Sequence, residues 1–373
     1  ASLGCAMANS LPALVAARAV QGMGAAGLMA VNAALVRLVY PHHLLGRGVA
    51  INSMVVAGAS VAGPSVAAVI LSVAPWPWLF AINLPRGASV VWLGRRALPP
   101  NRTPPPAGAR LPRIDVVLNA AMFVLIFLAA ESFVAGMNEA SAPSWRLPLV
   151  LLLAGVGVAV VYLRRQRRQA LPLFPVDLLR IPVFRLSMCT SIGAFSAQML
   201  ASIALPFLLL EGLGRSHAEA GIVLTAWPIA TVAMAVVAAR LIGRHPDGLL
   251  GGIGLATMGL GLALLALLPA QPSMADMLWR MALCGAGFGL FQSPNNHTIL
   301  TSAPAHRSGG ASGMLGTARL TGQSMAAVAM APLSGLSGGH HGRARVVALM
   351  VAAAAAFAAS GFSLLRLRHP AAR

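Results

Sequence analysis

Long apolar stretches constrain the fold of this chain more than any other feature. A helix needs roughly 20 mostly apolar residues to cross a bilayer, and in hydrocarbon its backbone polar groups can be satisfied only within the helix. We identify about eleven stretches of this length, with the approximate limits 11–39, 49–73, 78–94, 114–134, 146–164, 184–210, 217–242, 248–269, 275–303, 311–336 and 344–366. The sequence therefore predicts an all-α polytopic membrane protein.

The distribution of the basic residues predicts the orientation. All 27 are Arg, and most fall in every second connection. If the connection 40–48 is cytoplasmic, the opposite side carries only Arg146, Arg215, Arg343 and Arg345. Basic residues concentrate in cytoplasmic connections, so we expect a multi-pass protein whose C-terminus is cytoplasmic. The same asymmetry accounts for the net charge of +19, and we expect no nucleic-acid partner.

The order of spans and linkers predicts two helical groups and a central pair. The expected regions are a remainder of an N-terminal helical half at 1–98, a Pro- and Arg-rich cytoplasmic linker at 99–113, two further transmembrane helices at 114–164, a basic cytoplasmic linker at 165–183, a C-terminal six-helix half at 184–366 and a cytoplasmic tail at 367–373. Transporters are commonly built from two such halves. Residues 1–8 resemble the end of a hydrophobic helix, so we expect the chain to be truncated at its start.

Arg18 lies within an otherwise apolar span, in the segment Arg18-Ala-Val-Gln21-Gly22-Met-Gly24. A charge in the membrane is costly unless it faces a partner or a water-filled cavity. A functional role is therefore the first interpretation. The alternative is that Arg18 extends its guanidinium to a membrane face.

Glycines are clustered in several spans. The segment Gly58-Ala-Ser-Val-Ala-Gly63-Pro64 has a glycine face that ends in a proline, which predicts a bent and closely packed helix. The other clusters are Gly22, Gly24 and Gly27, then Gly285, Gly287 and Gly289, and finally Gly313 and Gly316. We expect close helix approach at all of them, and plain packing without a functional role is the alternative.

Together these segments resemble the major facilitator superfamily, specifically its 14-helix drug:proton antiporter branch. The segment from Arg18 matches the family's fourth-helix signature, and Gly58 to Pro64 matches its fifth-helix antiporter motif, although Ala67 and Ala68 replace the usual closing glycine pair. Asn83-Leu-Pro85, after Trp76, is similar to the stretch that opens the sixth helix.

The resemblance covers essentially the whole chain. The pair of helices at 114–164 occupies the place of the branch's two extra helices, and 307–323 resembles its thirteenth-helix region. The family's first two helices, most of its third helix and its G-x-L-x-D-R loop are not found. The expected fold is therefore a major facilitator fold that lacks these parts.

The resemblance implies proton-coupled efflux of drugs or other toxic amphipathic compounds by alternating access. It implies a bacterial inner (plasma) membrane location, with the lipid bilayer, protons and a small amphipathic substrate as partners, and a monomer. It further implies that proton coupling or conformational change depends on Arg18, Gln21, Gly22, Gly58, Gly63 and Pro64. Glu131 is the acid placed furthest inside a span, and it has either a coupling role or a peripheral position.

A cavity for amphipathic compounds needs mainly apolar and aromatic walls with a few polar groups. The candidate residues are Gln198, Phe288, Phe291, Gln292, Asn296 and Arg319. Gln292 and Asn296 are four residues apart and share one helical face. Hydrogen bonding between helices, without any substrate, is the alternative for these amides.

No spacing of Cys, His or acidic residues predicts a metal site or a cofactor, and the acids are not grouped as catalysis would require. We therefore expect a protein that is not an enzyme. Two alternatives to the drug exporter stay open. The chain could be a fragment that does not transport because it lacks its coupling carboxylate, or an exporter of a metabolite.

Overall fold

The computed structural model describes residues 1–41, 44–98, 112–138, 146–167, 175–269, 271–304, 307–335 and 341–368, which form helices and turns and no strand. The helices are α1 (Ser2–Ala6), α2 (Leu11–Val39), α3 (Leu45–Val73), α4 (Trp78–Ala81), α5 (Asn83–Ala97), α6 (Arg113–Asn138), α7 (Arg146–Gln166), α8 (Pro182–Phe207), α9 (His217–Leu241), α10 (Asp247–Ala266), α11 (Met274–Ser302), α12 (Ser308–Gly335) and α13 (His341–Leu365). Each predicted span coincides with helix to within about four residues at its ends.

Serine residues set the beginnings of three helices. The Ser10 hydroxyl accepts a hydrogen bond from the Ala13 N–H at the start of α2, at 3.4 Å. Ser216 and Glu219 form a reciprocal capping box at the start of α9. The Ser273 hydroxyl accepts a hydrogen bond from the Asp276 N–H at the start of α11. These side chains satisfy N–H groups that have no partner within the helix.

The span predicted at 78–94 is interrupted: it consists of α4 and α5, which meet at Ile82. In a continuous helix the N–H of residue 85 would donate to the carbonyl of Ala81, but Pro85 has no N–H. The break therefore falls where that hydrogen bond is missing. Pro206 has a related effect near the end of α8, where the chain continues as a π-helical turn over Leu208–Gly212.

Glycines bring α11 close to its neighbours in the second half of the chain. A Cβ atom at Gly285 would lie under 3.0 Å from the backbone of Trp227 in α9, and one at Gly287 would lie equally close to the backbone of Met258 in α10. Backbone atoms cannot move aside as a flexible side chain can. The predicted close approach is therefore confirmed at this glycine cluster.

At the remaining glycine clusters the predicted close approach of helices does not occur within the described chain. Among the described residues, a Cβ atom would meet nothing within 4 Å at Gly22, Gly24, Gly27, Gly58, Gly63, Gly313 or Gly316. For the glycines of α2 and α3, the reason lies in the packing of these helices against α12 and α9 rather than against each other. Their glycine-bearing faces therefore do not meet another helix of the described chain.

The two halves meet through α2 against α12, and through α3 against α9 and α11. The C-terminal ends of α2, α9 and α11 lie at one end of the bundle: a Cβ atom built at Gly46 would lie 2.7 Å from the Ile242 Cγ2, and Arg37 donates a hydrogen bond to the Leu300 carbonyl. We call this end the α2–α3 end. It is the end that the Arg distribution predicts to be cytoplasmic.

Many large apolar side chains face outward, for example Val15, Val117 and Leu153, as expected for surfaces in lipid. Within the described residues, seven helical segments are long and apolar enough to cross a membrane. That the other predicted spans also cross it stays a prediction.

Candidate functional site

A cavity of about 100 Å³ lies between the two halves, and we call it the interhalf cavity. Side chains from α2, α3, α8, α11 and α12 line it. Its polar lining residues are Asn32, Asn52, Gln292, Asn296, Ser312 and Arg319. Those on α11 and α12 are spaced by four and seven residues, which places each set on one helical face.

Two asparagines connect α2 and α3 on the side of the cavity that the first half forms. The Asn32 Nδ2 of α2 donates a hydrogen bond to the Asn52 Oδ1 of α3 at 3.1 Å. On the opposite wall Gln292 is buried and Asn296 is half-buried. The cavity is thus lined by amides from both halves.

Arg319 is the one ionised side chain among the described residues that line the cavity. Its Cζ lies 5.5 Å from the centre of the Phe195 ring. The structure shows no hydrogen bond or ion pair from its guanidinium to any described residue. The charge is therefore stabilised within this part of the chain by an aromatic face alone.

Ser312 also lines the cavity and is only 1% exposed, yet its Oγ has no hydrogen-bond partner among the described residues. A buried hydroxyl without a partner costs free energy. Such a group beside a cavity indicates a position where a ligand or water would complete the hydrogen bonding.

Three phenylalanines form a cluster behind one wall. The Phe195 ring centre lies 5.7 Å from that of Phe288 and 6.5 Å from that of Phe291, and the last two are 5.8 Å apart. Phe195 lines the cavity, whereas Phe288 and Phe291 are buried and do not. The cluster therefore offers one ring to the cavity and supports it with two.

Of the six residues predicted for a substrate cavity, the structure brings together Gln292, Asn296 and Arg319. Phe288 and Phe291 lie behind the wall, as described above. Gln198 does not line the interhalf cavity; it is half-buried on α8. Gln198 lies about one turn beyond Phe195, so it is displaced by roughly 4.5 Å along the axis of α8 from the residue that lines the cavity.

Sequence analysis did not single out Asn32, Asn52 or Phe195. The two asparagines carry a signal that could have found them, because each is an amide within an otherwise apolar span. Phe195 carries no such signal, since an aromatic residue in a membrane helix is ordinary.

An apolar cluster bounds the cavity at the α2–α3 end. Leu45, Val49 and Leu300 are each at most 3% exposed and form one apolar cluster across the two halves, which we call the apolar gate. Beside it the Arg37 Nη1 donates to the carbonyl oxygens of Leu300 and Ala303, at 2.6 and 3.0 Å. These carbonyls lie at the end of α11, where the helix itself provides no donors.

Arg18 and Gln21 lie outside the interhalf cavity. The Arg18 Nη1 donates to the Gln21 Oε1 at 2.6 Å, and the Gln21 Nε2 donates to the Ser2 hydroxyl at 3.0 Å. The Arg18 Cζ also lies 5.7 Å from the Phe80 ring centre. No carboxylate of the described chain pairs with Arg18, so its predicted role in proton coupling stays a prediction.

Four further predicted positions, Glu131, Gly22, Gly58 and Gly63, do not line the cavity. Glu131 is exposed on α6, and Gly22 is exposed on α2. Gly58 and Gly63 lie on α3, and the side chain of Pro64 lies outside the described residues. Their roles stay predictions as well.

A buried polar network holds the second half together near the α2–α3 end. The Arg366 Nη1 donates to the Ser187 Oγ at 3.0 Å and to the Asn295 Oδ1 at 2.9 Å. On the adjoining face of α11, the His297 Nδ1 lies 2.6 Å from the Asp247 Oδ2. This network fixes α11, which carries Gln292 and Asn296. Across the described residues, no three His, Cys, Asp or Glu side chains are grouped so that they could hold a metal ion.

Comparison with known sequences gives a family match. A sequence model of the Major Facilitator Superfamily matches residues 1–327. The "Uncharacterized transporter YebQ" of Escherichia coli (strain K12) is 51% identical over 377 residues, which cover 100% of this chain and 79% of that protein.

Two more distant relatives carry more specific names. The "Riboflavin transporter RibZ" of Clostridioides difficile (strain 630) is 29% identical, over 84% of this chain and 66% of that protein. The "Multidrug resistance protein Stp" of Mycobacterium tuberculosis (strain CDC 1551 / Oshkosh) is 26% identical, over 87% of this chain and 59% of that protein. The chain thus spans less than two thirds of the length of these two relatives.

Proposed function

The chain belongs to the major facilitator superfamily, and from this premise we propose that it exports amphipathic compounds by alternating access, driven by proton influx. Family membership makes it a membrane transport protein and not an enzyme. The direction of transport, the coupling ion, the substrate class, the location in a bacterial inner membrane and the cytoplasmic C-terminus are parts of the proposal.

The interhalf cavity is the observation that carries the proposal. Because helices of both halves line it, a movement of one half against the other changes the shape of the cavity and its access. A site at the interface of two halves is the arrangement that alternating access requires. Its mixture of apolar walls with a few amides suits an amphipathic ligand.

The gate supports the same mechanism. The apolar gate and Arg37 join the halves at the α2–α3 end through side-chain contacts and hydrogen bonds to carbonyls. Such contacts can separate and reform without chemical change. We propose that they open when the halves rock, which would connect the cavity to that side of the membrane.

The name of one relative, a multidrug resistance protein, supports drugs as the substrates. Proton coupling rests on the resemblance of the segment from Arg18 to Gly24. We propose that Arg18 modulates the protonation of a carboxylate on the proton path through its positive charge. Glu131 is the candidate carboxylate within the described spans.

The test is transport by the chain, residues 1–373, reconstituted in vesicles with an imposed proton gradient. We expect movement of an amphipathic dye or of 2-naphthoate that stops when an uncoupler collapses the gradient. Arg18→Ala should abolish this movement, whereas Arg86→Ala, which removes an exposed Arg from α5, should not. Movement that is insensitive to the uncoupler would contradict proton coupling.

A metabolite exporter is the second candidate, favoured by the relative named as a riboflavin transporter. The same vesicles test it, because riboflavin should then compete with the dyes or move itself. If the folded protein moves no compound at all, the alternative of a chain that does not transport by itself would hold.

A further inference from the structure

We propose that the interhalf cavity binds compounds with an anionic group, such as a carboxylate, sulfonate or phosphonate, joined to an apolar or aromatic body. This inference rests on the proposed function, because it names the substrate class of the same site. It goes beyond that function in assigning the sign of the ligand's charge and the residue that recognises it.

The charge balance of the cavity is the first argument. Arg319 lines the cavity, and neither an Asp nor a Glu is among the described lining residues. Its guanidinium has no hydrogen bond or ion pair with the rest of the described chain. A positive charge in a membrane interior requires a counter-charge, a polar partner or water. In this cavity an anionic ligand would supply the counter-charge.

The hydrogen-bonding capacity of the guanidinium is the second argument. The Arg319 Cζ lies over the Phe195 ring, 5.5 Å from its centre. A cation–π contact stabilises the charge but does not satisfy the N–H donors with hydrogen-bond acceptors. A guanidinium presents these donors in a fork that matches the two oxygens of a carboxylate better than an ammonium would.

The neutral donors that line the same cavity as Arg319 are the third argument. Ser312 lies two turns earlier on α12 and lines the same cavity with a buried hydroxyl that has no partner among the described residues. Gln292 and Asn296 add amide N–H groups from α11. Hydroxyl and amide donors satisfy the remaining lone pairs of an anion, whereas a cationic group in the same cavity would be repelled by the charge of Arg319.

The size of the cavity decides which part of a ligand it holds. Its volume of about 100 Å³ is smaller than the roughly 300–1,000 Å³ of sites that enclose a drug-sized compound. The cavity therefore accommodates the charged end of an amphipathic compound. Val36, Val56 and Leu315, which also line it, would contact the first part of the apolar body.

The experiment is equilibrium binding of radiolabelled 2-naphthoate and of its neutral analogue 2-naphthamide to the purified chain in uncharged detergent at pH 7. The two probes have the same shape and differ in charge. We expect the carboxylate to bind about tenfold or more tightly, because hydrogen bonds to charged groups contribute about 1.5–3 kcal/mol. Arg319→Gln should remove this preference, Arg319→Lys should keep part of it, and Ser312→Ala should reduce it.

Arg86→Gln is the matched control, because it removes the same charge at a position that does not line the cavity; it should leave both affinities unchanged. Equal affinity for the two probes, or a preference that survives in Arg319→Gln, would overturn the inference. Displacement of 2-naphthoate by phosphatidylglycerol, but not by short carboxylates, would likewise overturn it by pointing to a lipid head group. Binding is measured without a proton gradient, so a failure of transport with intact binding would count against the proposed function alone.

Discussion

Arg37 and Arg319 carry the same side chain in different surroundings, and this difference decides what each can do. Arg37 donates to two carbonyl oxygens at the end of α11, so its hydrogen bonds hold the halves together. Arg319 has an aromatic ring on one side and a cavity beside it. The first arginine is suited to a gate and the second to a ligand.

Removing the Arg37 guanidinium should loosen the α2–α3 end. In a chain whose Cys5, Cys189 and Cys284 are replaced by Ala, a Val49→Cys reporter lies in the apolar gate. We expect Arg37→Gln to speed its labelling by a membrane-impermeant maleimide about tenfold, because a hydrogen bond to a charged group contributes about 1.5–3 kcal/mol. Arg47→Gln is the control at the same end, since Arg47 is exposed. Equal labelling rates in both variants would show that Arg37 does not close the gate.

At the level of helices, glycine positions separate into two kinds. Gly287 lies against the backbone of α10, whereas Gly313 and Gly63 face open space within the described chain. Gly287→Ala should therefore destabilise the protein by about 1–3 kcal/mol through overpacking. Gly313→Ala should be neutral or stabilise it by roughly 0.5–1 kcal/mol, because alanine favours the helix.

The apparent melting temperature in detergent, at one fixed scan rate, measures both effects. Gly63→Ala adds a functional comparison. It should leave the melting temperature unchanged, and a loss of transport at normal stability would support the role that the family resemblance assigns to this glycine. Equal destabilisation by Gly287→Ala and Gly313→Ala would contradict the packing described for α11.

The helix pair α6 and α7 is joined by an ion pair with unequal burial. The Arg165 Nε lies 2.5 Å from the Asp115 Oδ1, and the Asp115 side chain is fully buried whereas that of Arg165 is 45% exposed. We expect Arg165→Gln to lower the melting temperature more than Asp115→Asn. The first change leaves a buried carboxylate without this counter-charge, whereas the second leaves a guanidinium that water can solvate. The reverse order would contradict this account.

The positions of the helices could be predicted well, because the length of an apolar stretch is a strong and local signal. The break within the span 78–94 was not predicted, although Pro85 is visible in the sequence. The loss of one hydrogen bond does not always divide a helix. Gln292 and Asn296 were found through their shared face. Phe195 and the burial of Phe288 and Phe291 could not be predicted, since they depend on how α8 packs against α11.

The glycine patterns also show that the sequence alone does not predict how helices pack. The patterns at Gly22 and at Gly287 are equally suggestive in the sequence, but only the second faces a neighbouring backbone. A small residue permits close approach, and the neighbouring helices determine whether it occurs.

For the whole molecule, the contact between the halves at the α2–α3 end gives a direct test of alternating access. A Cβ atom built at Gly46 lies 3.5 Å from the Ile242 Cβ, which is within the range of disulfides, about 3.5–4.5 Å. In the cysteine-free background, Gly46→Cys with Ile242→Cys should form a disulfide on oxidation. Transport should stop when the disulfide forms and return on reduction.

Each single cysteine variant is the control for this cross-link, because it cannot form the intramolecular disulfide and should transport under both conditions. Continued transport by the cross-linked protein would show that the α2–α3 end does not need to open. Alternating access at this end would then be wrong.

The barrier between the cavity and the α2–α3 end is thin. Val49 and Leu300 belong to the apolar gate and also line the cavity, so one layer of apolar side chains forms the barrier. Full exposure of each apolar gate side chain would cost about 1.5–3 kcal/mol, and a partial opening exposes less. The three gate side chains together would therefore cost roughly 4.5–9 kcal/mol when fully exposed, so the closed arrangement predominates. If this end opens as proposed, a ligand can shift the equilibrium towards the open form by no more than the difference between its binding free energies for the two forms.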